Sequence, residues 1–554
     1  MNLISDAWLP VIRTSGKKDK IVPWQVAERN DPVVELNAPR PDFQGALYQF
    51  LIGLLQTCYA PADPDEWLEY WENPPDEEVL LTKFLGIASA FELDNPTGPA
   101  FMQDFAGLKG LLDIVKFSGK KPKKDAECFS PVNALLIDAP KDNTLTENKD
   151  LFIKRDMVTR LCASCAATAL FTLQINAPSG GVGHRVSLRG GGPLTSLVRP
   201  SDEALLWQKI WLNVLDEESL VKSIRIPTSD LFPWLAATRV SDKGGRNTRP
   251  EDVHLLQMFW GTPRRIRLCF EPSQHQCCDI CDGHDGPFVE RYITQNYGVK
   301  YAGGWVHSLS GYFFDGKKEK PPISVKGQKG GLGYRHWINL VLAHSDDAAC
   351  AAKVATAYMD QRARDIGSQR IARLWCFGYD MDNMKARCWY DHTLPFFHLD
   401  AAQRENVLSW GGDLINAAWD VAGNLRMQVK AAWFSRPGDV KGDMSAVVRE
   451  FWQQSEADFY KLLERLISLP GDQRLAPPEI YDAWANRLRW LAYDLFDTWA
   501  LEAPAEDLNM KRIIAARQGL TKKLNGSKPM KELITRANMG KGVKNAANTQ
   551  ISLP

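Results

Sequence analysis

The chain has 554 residues, and 67 Lys and Arg are balanced by 67 Asp and Glu, so it carries no net charge. That length exceeds one ordinary hydrophobic core and predicts two or more domains. The neutral balance excludes a uniformly basic, free-standing nucleic-acid binder and leaves only binding that is local or shared with partners.

The start, Met1 to Pro10, has neither a basic cluster nor an apolar run, which argues against a secretory leader. Phe43 to Tyr59 is nearly apolar on all sides and predicts a buried helix. Pro122 to Asp156 is polar, rich in Lys and Pro, and predicts a long loop. Leu161 to Ile175 predicts a second buried helix. Gly311 to Gly333 is another loop, with Pro321-Pro322 and lysines at 317, 318, 320, 326 and 329. No stretch approaches the roughly 18 apolar residues of a membrane span.

After residue 400 four amphipathic patterns follow, separated by Pro and Gly. The first, 401–432, has Leu408, Leu414, Ile415, Ala418, Trp419, Ala422 and Leu425 on one face. The second, 447–469, has Phe451, Phe459, Leu462, Leu463 and Leu466, and stops at Pro470-Gly471. Pro477-Pro478 opens the third, with Ile480, Trp484, Leu488, Leu491, Leu495 and Trp499. The fourth covers 506–523. The stripes read as core packing, and the set as an antiparallel four-helix bundle. The predicted fold class is α+β, with a mixed domain over 1–400, a bundle over 401–530 and a flexible basic tail over 531–554.

Eleven cysteines, an odd number, argue against a disulfide framework and for reduced thiols in a cytoplasmic protein. Two Cys-x-x-Cys pairs stand out, Cys162/Cys165 and Cys278/Cys281. Two such pairs complete a tetrahedral zinc site if they meet, and are buried thiols if they do not. Cys277 adjoins the second pair. Glycines 180, 181, 183 and 190 to 192 read either as two tight turns or as backbone that lets a nucleic acid approach closely. His184, Arg185 and Arg189 beside them are candidate phosphate contacts. The lysines of 316–329, and Lys522, Lys523, Lys528 and Lys531, read as solvated surface or as backbone-tracking charge. His284-Asp285 lacks the further ligands of a metal-dependent hydrolase, and Asp380/Asp382 reads as turn chemistry rather than a metal pair. No hydrolase elbow or zincin helix is present.

The order of these motifs carries a resemblance. It runs Leu161-Cys-Ala-Ser-Cys-Ala-Ala-Thr-Ala-Leu170, Asn176-Ala-Pro-Ser-Gly-Gly-Val-Gly183, Leu188-Arg-Gly-Gly-Gly-Pro193, Cys278-Asp-Ile-Cys281, then Gly378-Tyr-Asp-Met-Asp-Asn383. With the opening Met1-Asn-Leu-Ile-Ser-Asp-Ala-Trp-Leu-Pro-Val11, it resembles the CasA family, large subunits of the type I-E CRISPR surveillance complex Cascade. The resemblance implies a mixed N-terminal domain with one structural zinc and a C-terminal four-helix bundle. It implies a non-catalytic subunit that finds the protospacer-adjacent motif (PAM) in double-stranded DNA and starts unwinding, leaving the remaining sequence to guide pairing. The implied partners are other Cascade subunits, the crRNA 5′ handle, target duplex and a recruited helicase-nuclease, with no membrane.

By the same resemblance the zinc ligands are Cys162, Cys165, Cys278 and Cys281. The PAM-facing loop is Ser179 to Gly183, including Gly180, Gly181 and Val182, where Val182 replaces a third consecutive glycine. Asn296, with Tyr297, stands near the family's minor-groove lysine, and Lys300 is a substitute charge. Asp382 and Asn383, followed by Met384, occupy the wedge that separates the first base pairs. Lys317 and Lys318 match a basic pair on the displaced strand, and Phe129 and Asn133 fall on the loop toward the crRNA handle. The competing readings are a zinc-dependent hydrolase or nuclease, and a purely structural assembly subunit.

Overall fold

The computed structural model describes all residues except 118–122, 141–145, 147–156, 201–202, 223–225, 272–276, 285, 318, 328, 343–348, 368–371, 383, 443, 503–508 and 550–554, and the side chains of 540–549. The chain divides into two compact units, the first comprising Met1–Lys329 and His344–Phe396, the second Gly330–Ala343 and Phe397–Pro554.

In the first unit, α1 (Pro41–Cys58) is buried along nearly its whole length. Its Phe50 lies edge-on to Trp8, Phe91, Phe101, Phe171 and Trp260, with ring centroids 5.3 to 6.0 Å apart. Such edge-to-face pairs add to simple burial, and they account for part of the high tryptophan content. The unit also contains the shorter helices α2 (Pro64–Glu72), α3 (Glu77–Leu85), α4 (Gly107–Phe117), α5 (Ala163–Asn176), α6 (Leu206–Trp211) and α7 (Lys353–Ala357).

Four small sheets complete the unit among the described residues. In the first, β1 (Leu9–Arg13) lies between β2 (Lys18–Ile21) and β3 (Val33–Leu36). The second places β8 (Phe288–Gln295) against β4 (Phe129–Pro131), β5 (Leu161–Cys162) and β7 (Arg265–Glu271), all antiparallel. In the third, β9 (Tyr312–Phe313) lies between β10 (Ile323–Ser324) and β11 (Ala349–Cys350). The last joins β6 (Thr195–Pro200) to the long hairpin β12 (Ala372–Asp382) and β13 (Lys385–Phe396).

The second unit contains α8 (Ala401–Trp433), α9 (Ser445–Ile467), α10 (Pro478–Asp497), α11 (Met510–Gly526) and α12 (Lys528–Thr549). Asp400 starts α8 with a capping box: its carboxylate accepts from Gln403 N at 2.7 Å, and Gln403 Oε1 accepts from Asp400 N at 3.2 Å. The predicted stripes fill the core, with three exceptions: Trp419 is 48% exposed, and Leu408 and Trp499 are half-buried.

Three sequence expectations change here. The helical region has five helices among the described residues, and the tail expected to be flexible from 531 begins within α12. Met530, Leu533 and Ala537 of that helix are buried, which gives it the apolar stripe that holds it. Gly330–Ala343, expected in the N-terminal domain, belongs to the second unit. Tyr334 explains this. Its ring stacks on Phe459 at 4.3 Å, and its hydroxyl pairs with Ser455 Oγ at 2.9 Å.

Trp484 is fully buried, and its indole N–H donates to Leu414 O at 2.9 Å. We expect Trp484→Ala to destabilise the second unit by about 3–5 kcal/mol, measured by chemical denaturation with a probe in that unit.

Candidate metal centre and nucleic-acid interface

The two cysteine pairs meet. Cys162 is the N-cap of α5, and Cys165 lies in its first turn, donating its backbone N–H toward Cys162 Sγ at 3.5 Å. The second pair sits in a turn just before β8. Antiparallel pairing of β5 with β8, Leu161 opposite Val289 and Cys162 opposite Phe288, brings the pairs together across the sequence gap. Asp279 fixes the turn: its carboxylate accepts from Thr159 N at 2.6 Å, Thr159 Oγ1 at 2.9 Å and Arg160 N at 2.9 Å.

All four sulfurs lie within 4.8 Å of one another, with Cys162 and Cys281 at 3.6 Å. A tetrahedral zinc with four thiolates requires sulfurs about 3.8 Å apart, so the tetrad fits. Hydrogen bonds within the tetrad pull the Cys281 thiol down to about 7 and the Cys278 thiol further, and hold Cys165 and Cys162, which donate to them, up; a metal would take all four as thiolates. Cys277 is exposed and stands outside the tetrad. Four protein thiolates close a zinc shell and leave no position for substrate.

From this tetrad two elements run outward. Helix α5 leads to Asn176 and then the glycine loop; strand β8 leads to Gln295 and then Asn296-Tyr297. Their far ends meet again. Tyr297 N donates to Gly183 O at 2.8 Å, and the Arg185 guanidinium lies 5.6 Å from the Tyr297 ring centre. Gly183 has φ +81°, and a Cβ there would come within 2.7 Å of Asn296 Cβ. Glycine is therefore a packing requirement at this position. Val182 points outward, 78% exposed, and Asn296 is partly exposed.

The hairpin tip joins the same region. Gly191 packs on Pro178 and Ser179, and Gly192 (φ +60°) packs on Met381, whose Cγ an added Cβ would strike. A register shift between Asp380 and Met381 bends the hairpin here. Asp382 and Met384 flank the tip, both exposed, and Asp382 pairs with Lys385 in register. Asn383 lies outside the described residues.

Sequence reasoning missed two residues that shape this edge. Arg387 clamps the hairpin, donating to Asp380 at 2.5 and 3.1 Å and lying 3.6 Å from Asp382. The two aspartates thus share an arginine. The signal was present: with Asp382 opposite Lys385, position 387 lies across from the Asp380 end. Arg264 underlies the glycine loop and donates to Pro178 O; nothing in its local sequence marks it.

Other candidates fall elsewhere. Phe129 opens β4, opposite Ile293 of β8, with Arg291 4.5 Å from its ring centre. Asn133, half-buried, follows in a short turn. Lys317 is exposed, and Lys318 lies outside the described residues. Two cations proposed for phosphate are instead structural. Arg189 is buried and donates to Gln49, Thr195 and Ser310 at 2.7 to 3.0 Å. Lys326 donates to Arg189 O and to Ser324 Oγ, the latter at 2.7 Å, and burial pulls its ammonium down to about 8.

We expect one zinc per chain by native mass spectrometry. Cys278→Ser should lower that occupancy and reduce Tm by about 5 °C or more. Hydrogen exchange should rise at 179–183 and 296–297, at the far ends of α5 and β8.

A model of the CRISPR-associated protein Cse1 family matches residues 2–495. The fold is similar to that of Thermus thermophilus CasA, at 16% identity and TM-score 0.64, over 95% of this chain and 100% of that chain. Thermobifida fusca Cse1 is similar at 18% identity and TM-score 0.62, over 97% and 98% of the two chains. A chain from a structure of a CRISPR RNA-guided surveillance complex matches at 15% identity and TM-score 0.63, over 94% and 99%. With the family match spanning nearly its whole length, this chain belongs to the CRISPR-associated protein Cse1 family.

Proposed function

We propose that this chain is the non-catalytic large subunit of a type I-E Cascade complex and reads the PAM in duplex DNA through the minor groove. The observation that carries this reading is the convergence of three segments at one edge of the first unit. The glycine loop presents backbone and an outward Val182, Asn296 presents an amide, and the hairpin presents Met384. A neutral amide beside exposed backbone suits the minor groove, where A·T and G·C pairs differ by a single donor.

In this reading Met384, with Asn383, enters a base step beside the PAM and unstacks it, at a cost of a few kcal/mol. Arg387 neutralises Asp382, which lets an acidic tip approach phosphate. Lys317 and Lys318 accompany the displaced strand. Phe129 and Asn133 face the crRNA handle, and the helical unit contacts neighbouring subunits and helps dock the helicase-nuclease. The proposed zinc is structural, holding the frame through its four cysteines. No helix among the described residues is long and apolar enough to cross a membrane, and we place the complex in the cytoplasm.

The decisive experiment measures duplex binding by guide-loaded Cascade, with and without this subunit, against a library randomised at the PAM. Preference for a few sequences only when the subunit is present supports the reading. No dependence on the subunit leaves a structural assembly protein, and dependence without sequence preference leaves a subunit that holds duplex by its phosphates and does not read the PAM. Metal-dependent cleavage by the isolated chain would favour a hydrolase.

Two substitutions sharpen the test. Gly183→Ala should weaken PAM-duplex binding about 10-fold or more and leave assembly intact, because its Cβ meets Asn296. Gly181→Ala, at φ +85° with no neighbour within 4 Å, should cost less. Met384→Ala should weaken binding to a closed duplex, with near-normal binding to DNA already open beside the PAM; an equal loss on both would exclude a wedge.

A further inference from the structure

Charge is distributed unevenly in this neutral chain. From Met510 to Pro554 there are ten Lys and Arg against a single acidic residue, Glu532, while the preceding 509 residues carry 57 against 66. Such asymmetry points to a polyanionic partner for the basic end. The segment begins beyond residue 495, where the family match stops.

The structure sorts these cations by type. The arginines tie the segment to neighbouring helices. Arg512 donates to Ala432 O at 2.8 Å and Trp433 O at 3.0 Å, closing the C-terminus of α8. Arg517 makes two 2.8 Å bonds to Asp497, and Arg536 pairs with Asp413 and Tyr481. The described lysines face outward. Lys511, Lys522, Lys523 and Lys531 are exposed, with no ion pair among the described residues. Lys528 is exposed beside Glu532 at 3.8 Å.

Helical spacing makes this a surface. Ile513, Ala516, Leu520 and Leu524 bury one stripe of α11. Lys511 and Lys522 are three turns apart on the opposite side, about 16 Å from each other. Leu533 and Ala537 likewise turn inward on α12, and Lys528 and Lys531 turn outward.

We propose that this lysine face of α11 and α12 holds duplex DNA by its phosphates, without reading sequence. Lysine binds phosphate as a point charge without the bidentate geometry by which arginine reads a base edge, and duplex DNA offers one charge per about 1.7 Å of axis. Single strands are held on aromatic platforms, and no Phe, Trp or Tyr occurs from Met510 onward. Protein interfaces are depleted in lysine.

The test uses the full chain and a 30-base-pair duplex of arbitrary sequence, titrated by fluorescence anisotropy over a range of salt. A variant combining Lys511→Gln, Lys522→Gln, Lys523→Gln and Lys531→Gln should lose about 10-fold or more in affinity at low salt. Its log K against log salt slope should fall by about 3 to 4, with Tm unchanged. Arginine at the same four positions should restore binding, and binding to a 30-nucleotide oligo-dT should change less than about twofold. Parental duplex affinity in the glutamine variant, or an equal loss on oligo-dT, overturns the proposal. So does a variant that binds duplex normally but fails to enter the surveillance complex, since the face is then a protein interface.

Discussion

The first unit depends on one closure: the meeting of four sulfurs at the joint start of a helix and a strand. Helix α5 and strand β8 leave that point and rejoin at the hydrogen bond from Tyr297 to Gly183. At about 1.5 Å per helical residue and 3.3 Å per strand residue, both elements span roughly 20–25 Å. The loops at their far ends are therefore set by a frame fixed at both ends. Structural zinc in small domains is worth about 10–16 kcal/mol, comparable with a domain's whole stability of about 5–15 kcal/mol. A metal bound here would act at a distance, through α5 and β8, on residues it does not touch.

Buried polar groups complete that frame. Gln174, near the end of α5, donates to Met102 O and Arg264 O and accepts from Arg264 N, at 2.9 to 3.0 Å. Arg265, next in the chain, pairs with the buried Asp104 at 2.5 Å. A buried donor or acceptor without a partner costs about 1–3 kcal/mol. Such a network therefore favours one arrangement of β7 against α5 over its near alternatives. The glycine loop inherits that definition through the bond from Arg264 to Pro178.

Periodic features were legible in the sequence. The stripe from Ile480 to Leu495 became a buried helix face, and the nearly apolar run from Phe43 became α1, because burial of adjacent apolar positions is a local property. The Cys-x-x-Cys spacings were legible as pairs, but their meeting was not. It depends on Leu161 facing Val289, a non-local pairing that no window of sequence contains. Charge misled for the same reason. Arg189 reads as a surface cation beside a glycine turn, yet its partner Gln49 lies 140 residues away and holds it inside. Trp419 fits the helical stripe, but its ring meets Trp452 at 5.0 Å at the edge of the core. Separation of the long tail into a packed α12 was obscured by its Gly and Asn content, which masks a stripe as sparse as Met530, Leu533 and Ala537.

The edge that carries the glycine loop separates residues that cannot change from residues that can. Gly183 is locked by Asn296 Cβ and a positive φ, whereas Val182, its neighbour, stands in open space. Substitution at 182 therefore alters the outward surface at almost no cost to folding. A loop of this design couples a fixed path to a replaceable surface, so what it presents at 182 can change while its shape does not.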